Sequence, residues 1–131
     1  MRRIWRNHWK SIIWAIFILV LCSIPGNQIN KVKIIDIPQF DKFVHFFFYF
    51  VFTLLLISEN NKLKLQKNVT VDAILIAASI SLGYGGIIEI MQKELFINRG
   101  ADIWDMVANT IGFLVAAISY RSVNKVTDRY I

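Results

Sequence analysis

Asp41, His45 and Tyr49 recur at i, i+4 and i+8, which puts all three on one stripe of a helix. Further on, Ser81, Gly85, Glu89 and Gln92 follow helical steps of 4, 4 and 3. Asp102, Asp105, Asn109, Gly112, Ala116 and Ser119 follow steps of 3, 4, 3, 4 and 3. Two chemistries fit these residues. In the first, His45 titrates near neutral pH and serves as acid or base, with Asp41 orienting its ring and Glu89 or Asp105 as a second carboxylate. In the second, Lys42 and Arg99 meet an anionic headgroup, and Asp41, Tyr49, Gln92, Asp102 and Asn109 supply hydrogen bonds around it. No cofactor is expected, although the histidine, carboxylate and amide donors together could hold a hard divalent cation. Plainer roles compete with both. Asp41 and Asp102 suit N-caps, Lys42 suits a snorkelling cation, and Asn109, Gly85, Gly86 and Gly112 suit helix contact.

The elements that must carry these residues are apolar. The chain has 131 residues, of which 56% are hydrophobic and only 18% charged. A chain of this size cannot enclose so much apolar surface in one soluble core. Disorder and a disulfide scaffold are excluded by the same figures, and the single Cys22 permits neither an intrachain disulfide nor a cysteine-rich metal site. What remains is a membrane protein.

Uncharged runs cover Ser11–Ile24, Phe43–Ser58, Ala73–Ile88 and Met106–Tyr120. With flanking interfacial residues such as Trp5, Trp9 and Lys10, each approaches the roughly 20 residues that cross the hydrocarbon core. The pattern predicts an all-α, polytopic four-helix transmembrane bundle, with helices near 8–24, 40–58, 70–91 and 102–121. It forms one domain over 1–131. Arg2, Arg3 and Arg6 before an apolar run resemble a signal peptide, but no small-x-small site follows, so the first helix is expected to stay uncleaved.

Basic residues set the orientation. Arg2, Arg3, Arg6, Lys10, Lys62, Lys64, Lys67, Arg121, Lys125 and Arg129 fall in the tails and middle loop. Only Lys31, Lys33, Lys42, Lys93 and Arg99 fall in the other two connections. Both termini are therefore expected in the cytoplasm. The net charge of +6 then serves topology and anionic lipid, and no nucleic-acid partner is called for. In this orientation Asp41, His45, Glu89, Gln92 and Asp102–Asn109 all gather at the outer leaflet, while the cytoplasmic halves are nearly all apolar. No polar path crosses the bundle, which disfavours an ion or proton carrier.

Asp41-Lys42-Phe43-Val44-His45-Phe46-Phe47-Phe48-Tyr49 resembles the D-K-x-x-H-F-x-x-Y signature of the VanZ-like membrane proteins. Glu89-Ile90-Met91-Gln92 resembles that family's E-x-x-Q, and Arg99, Asp105, Asn109 and Gly112 its R…D-x-x-x-N-x-x-G ending. Together the motifs cover about residues 40–115. The resemblance implies a small multi-pass protein of the bacterial cytoplasmic membrane, whose namesake is associated with resistance to the glycopeptide teicoplanin. It does not decide whether the chain is an enzyme. Three classes stay open, in this order: binding of a lipid-linked or amphiphilic cell-envelope molecule, an enzyme acting on such a molecule, and a structural or assembly factor. Glycine-lined faces would also allow a homo-oligomer.

Overall fold

The computed structural model describes residues 2–25, 40–63, 71–95 and 102–130, and these are helical almost throughout. α1 (Arg2–Asn7) and α2 (Trp9–Cys22) are separated at His8; α3 (Phe40–Leu63), α4 (Val71–Glu94) and α5 (Ile103–Tyr130) follow. Three of them contain candidate membrane spans, Phe40–Asn60, Val71–Glu94 and Ile103–Tyr120, of 21, 24 and 18 residues. Their outward faces carry large apolar side chains, among them Ile90, Ile103, Trp104 and Ile118, the last 81% exposed. Water would not tolerate such a surface, and lipid would.

The first apolar segment is shorter than the sequence suggests. His8 interrupts the helix with φ −117° and ψ 21°, and Ser23 closes it two residues before Pro25. The 14 residues of α2 extend about 21 Å, less than the roughly 30 Å of a hydrocarbon core. It is an apolar helix packed on the bundle, below the length of the other three. At the other extreme α5 runs on to Tyr130, beyond the expected end near 121, because no Gly or Pro follows Gly112 to stop it. Its apolar span nevertheless closes at Tyr120.

Packing is most extensive between α3 and α5. Gly112 permits it: a Cβ at this position would run into the backbone carbonyl of Phe46 and lie 3.1 Å from the Phe50 nitrogen. The buried face of α4 is Ala73, Ala77, Ser81, Gly85, Ile88, Glu89 and Gln92, the expected stripe extended by alanines. Ser81 meets Thr53 of α3 across 2.9 Å, joining two fully buried hydroxyls. Gly85 lies against the Tyr49 ring and the Asn109 amide, whereas Gly86 faces open space and makes no helix contact. α2 is tied on by side chains that reach backbone carbonyls. Trp14 Nε1–H donates to Phe48, and the Tyr84 hydroxyl donates to Ala15 over 2.6 Å.

Glu59 anchors the start of α2. His8 offers no side-chain cap, and the free N–H groups of Lys10 and Ser11 donate instead to Glu59 Oε1 at 3.1 and 3.4 Å. Ser11 Oγ donates to Glu59 Oε2, and His8 Nδ1 lies 3.4 Å from the same oxygen. A carboxylate from α3 thereby performs the capping that the sequence around His8 lacks. That contact buries Glu59 to 6% exposure and accounts for α3 continuing past 58. A cavity of about 240 Å³ lies beside it, lined by Arg6, Trp9, Lys10, Ser58 and Glu59 among others. It is at the far end of the bundle from the polar stripes.

Candidate functional site

The polar stripes converge where α3 begins, α4 ends and α5 begins. Asp102 caps α5: its Oδ1 accepts from the Trp104 N–H at 2.9 Å. Its other oxygen, Oδ2, accepts from Lys42 Nζ at 2.7 Å, which crosses from α3 to the mouth of α5. The same ammonium donates to Asp105 Oδ1 at 2.8 Å and to Asp41 Oδ2 at 3.3 Å. All three ammonium donors are thus spent on carboxylates. Lys42, through its hydrogen bond to Asp102, holds that exposed carboxyl below the usual carboxylate range, and the Trp104 N–H adds to the effect.

His45 sits one turn below Lys42 and is 3% exposed. Its Nδ1 lies 3.1 Å from Asn109 Oδ1, and its Nε2 lies 3.6 Å from Asp105 Oδ2. The sequence reading gave Asp41 the task of orienting this ring. The geometry gives it to Asn109 and Asp105, because Asp41 at the helix start points to the exposed side and pairs with Lys42. The tautomer that donates Nδ1–H to the Asn109 oxygen turns Nε2 towards the buried Asp105 carboxylate. Asp41, His45 and Asp105 can each bring one donor atom to within 4.8 Å of the others. Lys42 already supplies positive charge to both carboxylates of that set.

Deeper between α3 and α4 the polar groups are less completely used. Glu89 Oε2 accepts from the Asp102 backbone N–H at 3.2 Å, tying the end of α4 to the start of α5. Gln92 donates its amide to the Cys22 carbonyl at the end of α2, at 3.3 Å. Glu89 Oε1, Gln92 Oε1 and the Tyr49 hydroxyl are buried and have no hydrogen-bond partner among the described residues. Tyr49, Glu89 and Gln92 are 1%, 6% and 1% exposed. Buried polar atoms are nearly always paired, and each exception asks for a cause.

Of the residues singled out by spacing, Asp41, Lys42, His45, Asp102, Asp105 and Asn109 form one connected network. Tyr49, Glu89 and Gln92 form the adjoining layer. Arg99, expected beside Lys42 to meet an anionic headgroup, lies outside the described residues. Spacing missed Glu59, and it missed the Cys22 carbonyl as an acceptor. The signal for Glu59 was present as an uncapped helix start at His8, but only the fold shows which carboxylate answers it.

A family model described as VanZ/LLP1 matches residues 1–124. The chain belongs to the VanZ/LLP1 family. Neither the curated proteins nor the solved structures contain a match. All members of the network and the layer beside it except Asp102 are among the positions that carry the resemblance in the sequence. The spans on these three helices make this VanZ/LLP1 chain an integral, multi-pass membrane protein.

Proposed function

We propose that this VanZ-like protein binds the headgroup of a lipid-linked or amphiphilic cell-envelope molecule in the layer formed by Tyr49, Glu89 and Gln92. A network serving only to lock the bundle would satisfy its own members, as the Lys42 network does. The layer beside it leaves three buried oxygens without partners among the described residues, and this observation carries the reading. Large apolar faces around the same helices would accommodate the hydrocarbon portion. Lipid mass spectrometry on gently purified protein tests the reading. Wild type should retain a defined amphiphile that Tyr49→Phe with Gln92→Leu loses; identical lipid content in both would remove the basis for a binding site.

In this reading the protein crosses the bacterial cytoplasmic membrane with both termini inside, α2 completing a fourth crossing with help from flanking residues, and the site faces outward. Trp5 and Trp104 lie near opposite ends of the bundle, 61% and 64% exposed. On a background with Cys22 replaced, a cysteine at 104 should react with a membrane-impermeant thiol reagent in intact cells. A cysteine at 5 should react only after permeabilisation, and the opposite pattern would turn the site towards the cytoplasm. Sequestering an envelope amphiphile at the outer leaflet would then link the protein to teicoplanin-type resistance.

An enzyme acting on the same molecule is the second reading, favoured by His45 between Asn109 and the Asp105 carboxylate. His45→Asn and His45→Gln retain hydrogen bonding and remove the imidazole that an acid–base role requires. A catalytic histidine should make both variants sensitive to teicoplanin at unchanged membrane abundance. Full protection by both would exclude acid–base chemistry at this position and leave binding without turnover.

A further inference from the structure

The headgroup must suit the atoms that await it. Gln92 donates one amide hydrogen to Cys22, and its open oxygen can only accept, as can Glu89 Oε1. The Tyr49 hydroxyl can accept as well as donate. The surrounding charge points the same way. Asp41, Asp102, Asp105 and Glu89 place four carboxylates around the converging helix ends, with Lys42 shared among three of them; Lys93 and Glu94, one of each sign, lie exposed at the end of α4. The charged or titratable groups that act on Glu89 are Asp105, Asp102 and His45; Tyr49 in turn faces Glu89, Cys22 and Tyr84. Among the described residues Glu89 therefore has a backbone N–H on one oxygen and no cation on the other.

Resting on the binding reading above, we propose that the group recognised at this site is a primary ammonium, donating to Glu89 Oε1, Gln92 Oε1 and the Tyr49 oxygen. Three N–H donors suit three acceptors, and the positive charge compensates a carboxylate that has no cation beside it among the described residues. A phosphate brings no donors and would enter among four carboxylates. A trimethylammonium has the charge and no N–H. A sugar hydroxyl has a donor and leaves the Glu89 charge uncompensated. The ammonium chemistry is common to an aminophospholipid headgroup and to a free small amine.

The full-length protein in phosphatidylcholine nanodiscs should show a higher melting temperature when phosphatidylethanolamine is included. It should also retain that lipid about tenfold better than phosphatidylglycerol in native mass spectrometry. Glu89→Gln should abolish the preference, and the milder Tyr49→Phe should weaken it several-fold while leaving the packed ring in place. Free ethanolamine that competes for the site would locate recognition in the ammonium alone; phosphatidylethanolamine binding that ethanolamine does not displace would locate it in the lipid-borne group. Equal retention of phosphatidylcholine, a preference for phosphatidylglycerol, or stabilisation by Mg²⁺ alone would overturn the ammonium assignment while leaving a ligand site standing. No response to any lipid or ion would overturn the binding reading itself.

Discussion

Replacing Lys42 with methionine is expected to lower the stability of the purified protein by about 3 kcal/mol, more than any other change to a charged residue in the network. Methionine keeps the length and apolar stem of lysine, so packing is preserved and charge is what changes. Asp105 is 8% exposed at its side chain and would be left, among the described residues, with no Lys or Arg beside it and only His45 Nε2 at 3.6 Å. Asp102 would keep its cap on Trp104, and Asp41 would be hydrated, so the loss concentrates at Asp105. Adding Asp105→Asn removes the stranded charge and should restore most of the melting temperature. Thermal unfolding of the two single variants and the double variant in detergent gives the coupling directly. Additive losses would mean that Lys42 and Asp105 are neighbours without being partners.

Lys42 plays a different part from the one its sequence position suggests. A lysine at the start of a membrane helix is legible as a cation near headgroups, and anionic ligands come to mind first. Nothing local indicates that residues 60 and 63 positions later will fold onto it. The stripes themselves were legible because helical periodicity is a local property. Ser81, Gly85, Glu89 and Gln92 are all on the buried face of α4, as their spacing required. His45, Tyr49, Asp105 and Asn109 are buried for the same reason. Partner choice across helices was not legible, since it depends on rotation and depth. Asn109 and Asp105, a turn apart on α5, reach the His45 ring, whereas Asp41, a turn away on the same helix, does not.

The ends of the helices show the same division. The apolar stretch near 8–24 reads as a span, and the break at His8 with the close at Ser23 confines it to the 14 residues of α2. Glu59 reads as the polar residue that closes α3, yet it is buried and caps α2 from the side. Hydropathy locates apolar segments. It carries no information about which free N–H groups a neighbouring carboxylate will satisfy.

Two glycine-to-alanine changes should separate close approach from mere helix composition, with opposite signs. Both Gly86 and Gly112 lie inside helices, where alanine is intrinsically better by up to about 1 kcal/mol. At Gly86 a Cβ meets nothing within 4 Å, so Gly86→Ala should keep that gain and melt at the same or a higher temperature. At Gly112 the Cβ meets the Phe46 carbonyl and the Phe50 nitrogen, which are backbone atoms and cannot swing aside. Helices α3 and α5 must then separate along their most extensive contact. Overpacking of this kind costs about 1–3 kcal/mol. The damage should extend beyond stability, because α3 and α5 also carry Lys42 with Asp105 and His45 with Asn109. Pushing them apart lengthens both contacts at once, so Gly112→Ala should lose ligand retention even under conditions where it stays folded. Equal melting temperatures for the two variants would show that α3 and α5 do not approach as closely as their backbones indicate, and the network at their ends would need another frame to hold it.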